Sequence, residues 1–190
     1  MKIKNWAGNY EYSTLNVHYP STIEQIQSLV KQHKKIRVIG TRHSFNSIAD
    51  SPDTLISLEQ YPSPITIHPE QNMVLFGANV TYAQLSRVLH AQGLALHNLA
   101  SLPHISVVGA CATATHGSGD QNQNLAATVS GLEIVTANGE LVEVSRQQNP
   151  EIFEGAVVHL GGLGVVVSLI LDVCPAFEIA QVVYEHLPIA

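Results

Sequence analysis

The sequence has few cysteines and few basic residues, and each shortage argues against certain classes of protein. Its two cysteines, Cys111 and Cys174, lie far apart and fit neither a metal-ligand spacing nor a paired disulfide framework. Both are therefore predicted to be free thiols, as in a cytoplasmic protein. Lysine and arginine number 9 against 15 aspartates and glutamates, so no basic surface that could bind nucleic acid is expected.

Long apolar runs are also lacking, which argues against a membrane protein or an exported one. No such run follows the lysines at the N-terminus, so no signal peptide is predicted. The most apolar segment, residues 161–173, is too short and too rich in glycine to span a bilayer. It is typical instead of a buried strand entered through a glycine turn, and the 45% hydrophobic composition matches an ordinary globular protein.

Histidine is plentiful, but its spacing does not indicate a metal site. His90, His97 and His104 recur at intervals of seven residues, unlike the i, i+4 pairs that bind zinc from one face of a helix. The leucines beside them favour ordinary packing, so no metal ligands are predicted.

Two capping boxes and a strong turn signal outline the secondary structure. Ser21 and Glu24 predict the start of a helix that stops near Lys34, while Thr81 and Gln84 predict the start of another that Gly93 ends. The other predicted elements are strands at 36–39, 65–68 and 73–78, a hairpin of 132–136 and 140–144 around Asn138-Gly139, and a helix from Asn149 to near Gly161. Helices and strands mix without strict alternation, so the predicted fold class is α+β, with subdomains of about 1–62 and 63–190.

A strand that runs into a polar turn is the first segment able to carry chemistry. Residues 38–46 read VIGTRHSFN, and successive amides of such a turn can form a nest for phosphate oxygens. By itself, however, the segment is more typical of an ordinary surface turn.

A run of small residues is the second segment able to carry chemistry. Nine of the ten residues 110–119 are small, His116 being the exception, and such a run lets a backbone lie against a flat ligand. Tight core packing explains the same composition. No G-x-G-x-x-G opens a βαβ unit and no G-x-x-x-x-G-K-[ST] occurs, so neither a Rossmann site nor a P-loop is supported.

Taken together, three ordered segments resemble the vanillyl-alcohol-oxidase class of flavoproteins, and within it the alditol (xylitol) oxidase family. They are residues 40–46, residues 100–119, and the GGLGVV sequence at 161–166. The resemblance runs from the NWAGN sequence at residues 5–9 to the end of the chain. It implies a PCMH-type FAD-binding domain made of two α+β subdomains.

The resemblance also implies roles for individual residues. The loop 40–46 would wrap the FAD pyrophosphate, His43 would bond covalently to the 8α-methyl of the isoalloxazine, and Ser101 would contact the substrate beside the flavin. The cofactor-binding residues implied in this way are Gly40, Thr41, Arg42, His43, Ser44, Phe45, Asn46, Ser106, Gly109, Thr113, Ala114, Thr115, His116 and Val166.

The chain departs from the family pattern at two of these positions. Arg42 and Ala114 stand where members of the family usually have glycine. A loop that needed a positive φ at residue 42 would be strained by arginine, although the guanidinium could also place a cation near the pyrophosphate.

The implied reaction is oxidation of the CH–OH group of a polyol, such as xylitol or sorbitol, with oxygen as acceptor and hydrogen peroxide as product. An aldonolactone oxidase or dehydrogenase of the same class, and a flavin-binding module without activity of its own, are the alternatives. Members of the family are longer, so a C-terminal substrate domain carrying the general base is expected to be absent from this chain, its junction falling near Leu187–Ala190.

Overall fold

A computed structural model describes residues 2–186 and 188, and its strands fall into three sheets. The expected junction at 187–190 therefore lies outside the described residues, apart from Pro188. The strands are β1 (Val17–His18), β2 (Ile36–Ile39), β3 (Thr54–Ser57), β4 (Ile65–His68), β5 (Met73–Gly77), β6 (Leu94–Ala95), β7 (Val129–Val135), β8 (Leu141–Ser145), β9 (Val165–Asp172) and β10 (Cys174–Pro175). The α-helices are α1 (Ile23–Gln32), α2 (Tyr82–His90), α3 (Val107–Ala112) and α4 (Pro150–Val157).

The smaller main sheet is parallel and has the order β1-β3-β2. Its central strand β3 is buried at every position, as expected for a strand covered on both faces. Strand β2 ends at Ile39, opposite Ser57, and the chain then turns at Gly40 into the loop 40–46. The carboxyl edge of this sheet therefore carries the predicted pyrophosphate loop.

The larger sheet is antiparallel and has the order β4-β5-β9-β7-β8. Its buried side chains pack with helix α2 into one apolar cluster that includes Val74, Phe76, Leu85, Leu132 and Leu169. Strand β9 lies in the middle of the sheet, between β5 and β7. This confirms the prediction of a buried strand after the glycine turn.

The mixture of helices and strands confirms the α+β fold class. The two main sheets lie on either side of residue 62, but the division into subdomains at that point stays a prediction. Helix α1 belongs to a second cluster in which Ile26 and Val30 pack with Ile56 from the small sheet and Val165 from the large one. The two sheets thus share part of one apolar interior.

Two predicted helix boundaries were wrong. Thr22, not Ser21, is the N-cap of α1: its side chain accepts from the Gln25 amide, while the Gln25 side chain accepts from the Ser21 amide. Both hydroxyl residues can cap a helix, and the backbone makes the second the extended N-cap residue. Helix α4 ends at Val157 rather than near Gly161, because the chain already leaves helical geometry at Val158. The capping box of Thr81 and Gln84 is confirmed.

Cys111 is buried and Cys174 is half-buried, and both are free thiols. Within the described ranges, no helix combines the length and the apolar character that crossing a bilayer requires.

Candidate active site

A cavity of about 650 Å³ lies where the loop 40–46, residues 101–115 and residues 159–166 meet. These three segments are the ones singled out in the sequence, and the fold brings them together from positions far apart in the chain. Every predicted site residue lines the cavity except Ala114 and His116, among the residues that the structure describes. His116 is exposed and its Nδ1 lies 3.0 Å from the Gly117 carbonyl oxygen.

The loop 40–46 is held from outside by the N-terminal residues. Asn5 is buried and its amide nitrogen donates to the Ser44 carbonyl at 2.9 Å, while the Trp6 amide donates to the Arg42 carbonyl at 2.8 Å. These bonds use the loop's carbonyl groups and leave its N–H groups free. Of the described residues, none accepts a hydrogen bond from the backbone N–H groups of 41–46. The loop therefore offers a row of donors of the kind that binds anions.

The imidazole of His43 is fixed on three sides. Its Nδ1 lies 3.0 Å from Thr41 Oγ1, and its Nε2 lies 2.9 Å from His104 Nε2. The Trp6 indole stacks on the ring with centroids 5.0 Å apart and an interplanar angle of 23°. Burial first, and then the charge that His104 can carry, lower the pKa of His43, while the Thr41 backbone acts in the opposite direction. The lowered pKa favours the neutral form of the ring.

Thr41 and Ser106 join the loop to helix α3. The Ser106 amide donates to Thr41 Oγ1 at 3.1 Å, and Ser106 is itself buried. A Cβ added at either Gly40 or Gly109 would lie 2.7 Å from Ser106 Oγ. Glycine at residue 40 is thus what allows the loop and the helix to approach so closely, while Gly109 leaves room for the Ser106 hydroxyl beside its own helix.

The two positions that depart from the family pattern both adopt left-handed backbone conformations. Arg42 has a φ of 61° and Ala114 a φ of 51°. Glycine takes such values without a steric cost, whereas a residue with a Cβ does not. The Arg42 side chain is exposed and donates to the Lys4 carbonyl at 3.3 Å.

Sequence reasoning missed four residues of this site. Asn5 and Trp6 belong to the NWAGN sequence, which carried part of the resemblance but was given no role. His104 was treated as an ordinary histidine and His159 was given no role, and only the three-dimensional structure shows His104 beside His43 and His159 in the cavity wall.

Comparison with known proteins identifies the kind of domain to which this cavity belongs. A sequence model of the FAD binding domain matches residues 15–145. The chain belongs to this family of FAD-binding domains. The resemblance read from the three sequence segments is thereby confirmed.

This FAD-binding domain is also similar to complete oxidases. It is 46% identical over 190 residues to the alditol oxidase of Streptomyces sp. (strain IKD472 / FERM P-14339), covering 98% of the chain and 45% of that enzyme. It is 30% identical to the L-gulonolactone oxidase of Bos taurus, over 97% of the chain and 43% of the enzyme. It is 32% identical to the D-arabinono-1,4-lactone oxidase of Yarrowia lipolytica, over 93% of the chain and 35% of that enzyme. The chain thus spans less than half the length of these relatives.

The cavity of the FAD-binding domain fits the cofactor in chemistry as well as in position. The free N–H groups of 41–46 suit the two negative charges of a pyrophosphate, and the chain's small number of cations makes such backbone donors necessary. Gly40, Ser106 and Gly109 give part of the cavity wall no bulky side chain, as a flat ring requires. The role of each individual residue toward FAD stays a prediction.

Proposed function

We propose that this domain is the flavin-binding part of an oxidase that converts the CH–OH group of a polyol, such as xylitol or sorbitol, to a carbonyl group. The observation that carries the proposal is that one cavity gathers the donor loop 40–46, with His43 on it, Ser101 and the wall at Ser106 and Gly109. The 46% identity to an alditol oxidase supports a polyol as the substrate class. Oxygen as acceptor, hydrogen peroxide as product and a cytoplasmic location belong to the same proposal.

Different residues of the chain would bind different parts of the cofactor. The N–H groups of 41–44 would bind the pyrophosphate, and the segment from Ser101 to Gly109, with Thr113, Thr115 and Val166, would line the ring system. FAD, when bound, supplies the acceptor for the hydride of the carbinol carbon. The reaction is balanced as one alcohol and one oxygen molecule giving one carbonyl compound and one hydrogen peroxide.

Ser101 is the residue of this chain proposed to touch the substrate. It is exposed and lines the cavity, so its hydroxyl can orient an alcohol by hydrogen bonding. None of the described residues is assigned to removing the proton of the substrate hydroxyl. We place that base, and most of the polyol-binding groups, in a C-terminal substrate domain outside this chain.

A covalent link through His43 is part of the proposal, and it rests on how the ring is held. Such a link would join the His43 imidazole to the 8α-methyl carbon of the flavin in place of one C–H bond. The two protons and two electrons released from the N–H and C–H bonds would pass finally to oxygen, giving hydrogen peroxide. His104 Nε2, at 2.9 Å from His43 Nε2, can accept the proton that His43 loses, while Trp6 and Thr41 hold the ring in place.

An absorption spectrum taken before and after acid precipitation tests the cofactor and the link together. Flavin colour that stays with the protein pellet supports a covalent link, and colour released to the supernatant shows bound but non-covalent FAD. Anaerobic addition of xylitol to the full-length protein should then bleach the flavin. A full-length flavoprotein that xylitol does not bleach would contradict the polyol oxidase proposal.

Aldonolactone oxidation is the second candidate function. It is favoured by the 30–32% identity to lactone oxidases over nearly the whole chain. Turnover of xylitol compared with an aldonolactone by the full-length protein separates the two candidates. A third outcome, FAD bound by the chain and reduced by neither substrate, would identify it as a binding module without activity of its own.

A further inference from the structure

His159 lines the same cavity but has been given no role in binding the cofactor or the substrate. It lies in the turn between helix α4 and strand β9, two residues before the first glycine of the GGLG sequence. The residue is half-buried, and burial lowers its pKa. A neutral imidazole in a cavity wall is both a donor and an acceptor, so the roles of its two nitrogens have to be assigned.

A backbone hydrogen bond assigns them. The Gly161 amide donates to His159 Nδ1 at 3.0 Å, so Nδ1 is the acceptor and the neutral ring carries its proton on Nε2. Within residues 2–186, no oxygen or nitrogen accepts a hydrogen bond from that Nε2–H. The ring thus presents one oriented, unpartnered donor at the cavity wall.

The turn that carries His159 is held from both sides. The Leu160 amide donates to the Ala112 carbonyl at the end of α3, at 3.0 Å. The Arg37 guanidinium of strand β2 donates to the Gly161 carbonyl at 2.9 Å. The two residues that follow the histidine are therefore tied to elements that line the cavity, which holds the turn in place.

We propose that His159 is a further FAD-binding residue, which donates a hydrogen bond from Nε2 to an oxygen or nitrogen acceptor of the cofactor. The proposal rests on the proposed function, because it assumes that FAD occupies this cavity. Holding the donor in place through its own backbone turn lets the bond form without ordering a free side chain.

The test separates the donor from its structural role in the turn. All variants are made in the His43→Ala background, so that binding is reversible. His159→Asn keeps an acceptor able to cap the Gly161 amide, as asparagine does in turns, but loses the Nε2 donor. His68→Asn is the matched control, since His68 is exposed on strand β4 and does not line the cavity.

Each apoprotein is titrated with FAD, and binding is followed by quenching of flavin fluorescence. We expect His159→Asn to weaken FAD binding about three- to tenfold with an unchanged melting temperature of the apoprotein, and His68→Asn to leave the affinity unchanged. Affinity equal to that of the parent in His159→Asn would overturn the proposal. A parent that binds no FAD would instead overturn the proposed function, so the two failures are distinguishable.

A second measurement covers the case in which His159→Asn does not fold. In the ¹⁵N NMR spectrum of the parent, the Nε2 resonance of His159 should shift when FAD is added, while that of His68 stays in place. A His159 resonance that does not respond to saturating FAD would also overturn the proposal.

Discussion

The two sides of the cavity are held in place by different kinds of interaction. None of residues 40–46 is buried, and the loop keeps its shape through hydrogen bonds from Asn5 and Trp6 and through the contact of Thr41 with Ser106. Helix α3 has only one turn and a half, but Val107, Ala110 and Cys111 on it are each at most 3% exposed. One side is held by polar contacts at the surface, and the other by the apolar core.

This difference indicates which side can vary without loss of the fold. Burial of apolar side chains supplies most of a domain's stability, whereas surface hydrogen bonds contribute little each. Substitutions in the loop should therefore change what the cavity binds, while substitutions in α3 should change whether the cavity exists.

Val107→Asp should lower the free energy of unfolding by at least about 3 kcal/mol, because it buries a charge that has no partner. Val107 is 0% exposed. Val88→Asp is the control, since Val88 lies on helix α2 and is 37% exposed. Urea denaturation followed by circular dichroism measures both. If Val107→Asp lowered the free energy of unfolding as little as the control does, α3 would not be part of the core.

His43→Ala should abolish covalent FAD while changing the free energy of unfolding by less than about 1 kcal/mol, because the half-buried ring lies on the polar side of the cavity. Mass spectrometry of the intact protein measures the attached flavin, and urea denaturation measures the stability. His97→Ala, at an exposed histidine, should retain whatever flavin the wild type carries. Flavin attached to the His43→Ala protein would place the link elsewhere.

Arg42→Gly should raise the free energy of unfolding by about 0.5–1 kcal/mol, because it removes the steric cost of a Cβ at a φ of 61°. Arg42→Ala removes the side chain but keeps that cost, so it should not stabilise the protein. Arg87→Gly, in the helical backbone of α2, should destabilise by about 1 kcal/mol. Equal stability of the glycine and alanine variants would contradict the claim that a Cβ at residue 42 strains the backbone.

The stability of the domain should also fall as the solution is acidified. His43 and His159 both have a pKa lowered by burial, so each unfolded ring, with a pKa near 6.5, binds protons that the folded ring does not. Stability contributed in this way is present above about pH 6.5 and is lost as the pH falls toward the folded pKa values. Replacing both residues by asparagine should flatten urea-derived stability between about pH 7 and pH 5, and an unchanged slope would contradict the assignment.

Local signals in the sequence were sufficient for much of the fold. Strand β4 lies at the predicted 65–68, and the hairpin forms around Gly139, whose φ is 81°. The first cap was misplaced by one residue, because Ser21 and Thr22 have the same capping chemistry and only the backbone distinguishes them.

The site could be predicted only in part, because its contacts join residues far apart in the chain. The resemblance predicted the loop and the small-residue stretch, which do meet at one cavity. No periodicity or spacing indicates that His104 lies beside His43, 61 residues earlier, or that Ser106 contacts Thr41. The turn at His159 depends on bonds to α3 and β2, which no local pattern encodes.

The central position of strand β9 has a consequence for how the domain is made. Both of its neighbours, β5 and β7, precede it in the chain, and they are joined through β9 rather than to each other. During synthesis, β5 and β7 therefore leave the ribosome with unpaired edges and wait for residues 165–172. Nascent chains shorter than this are expected to be sensitive to aggregation and to need protection by chaperones. The cavity cannot be complete before residues 159–166 are made, so we expect FAD to bind only after β9 has joined the sheet.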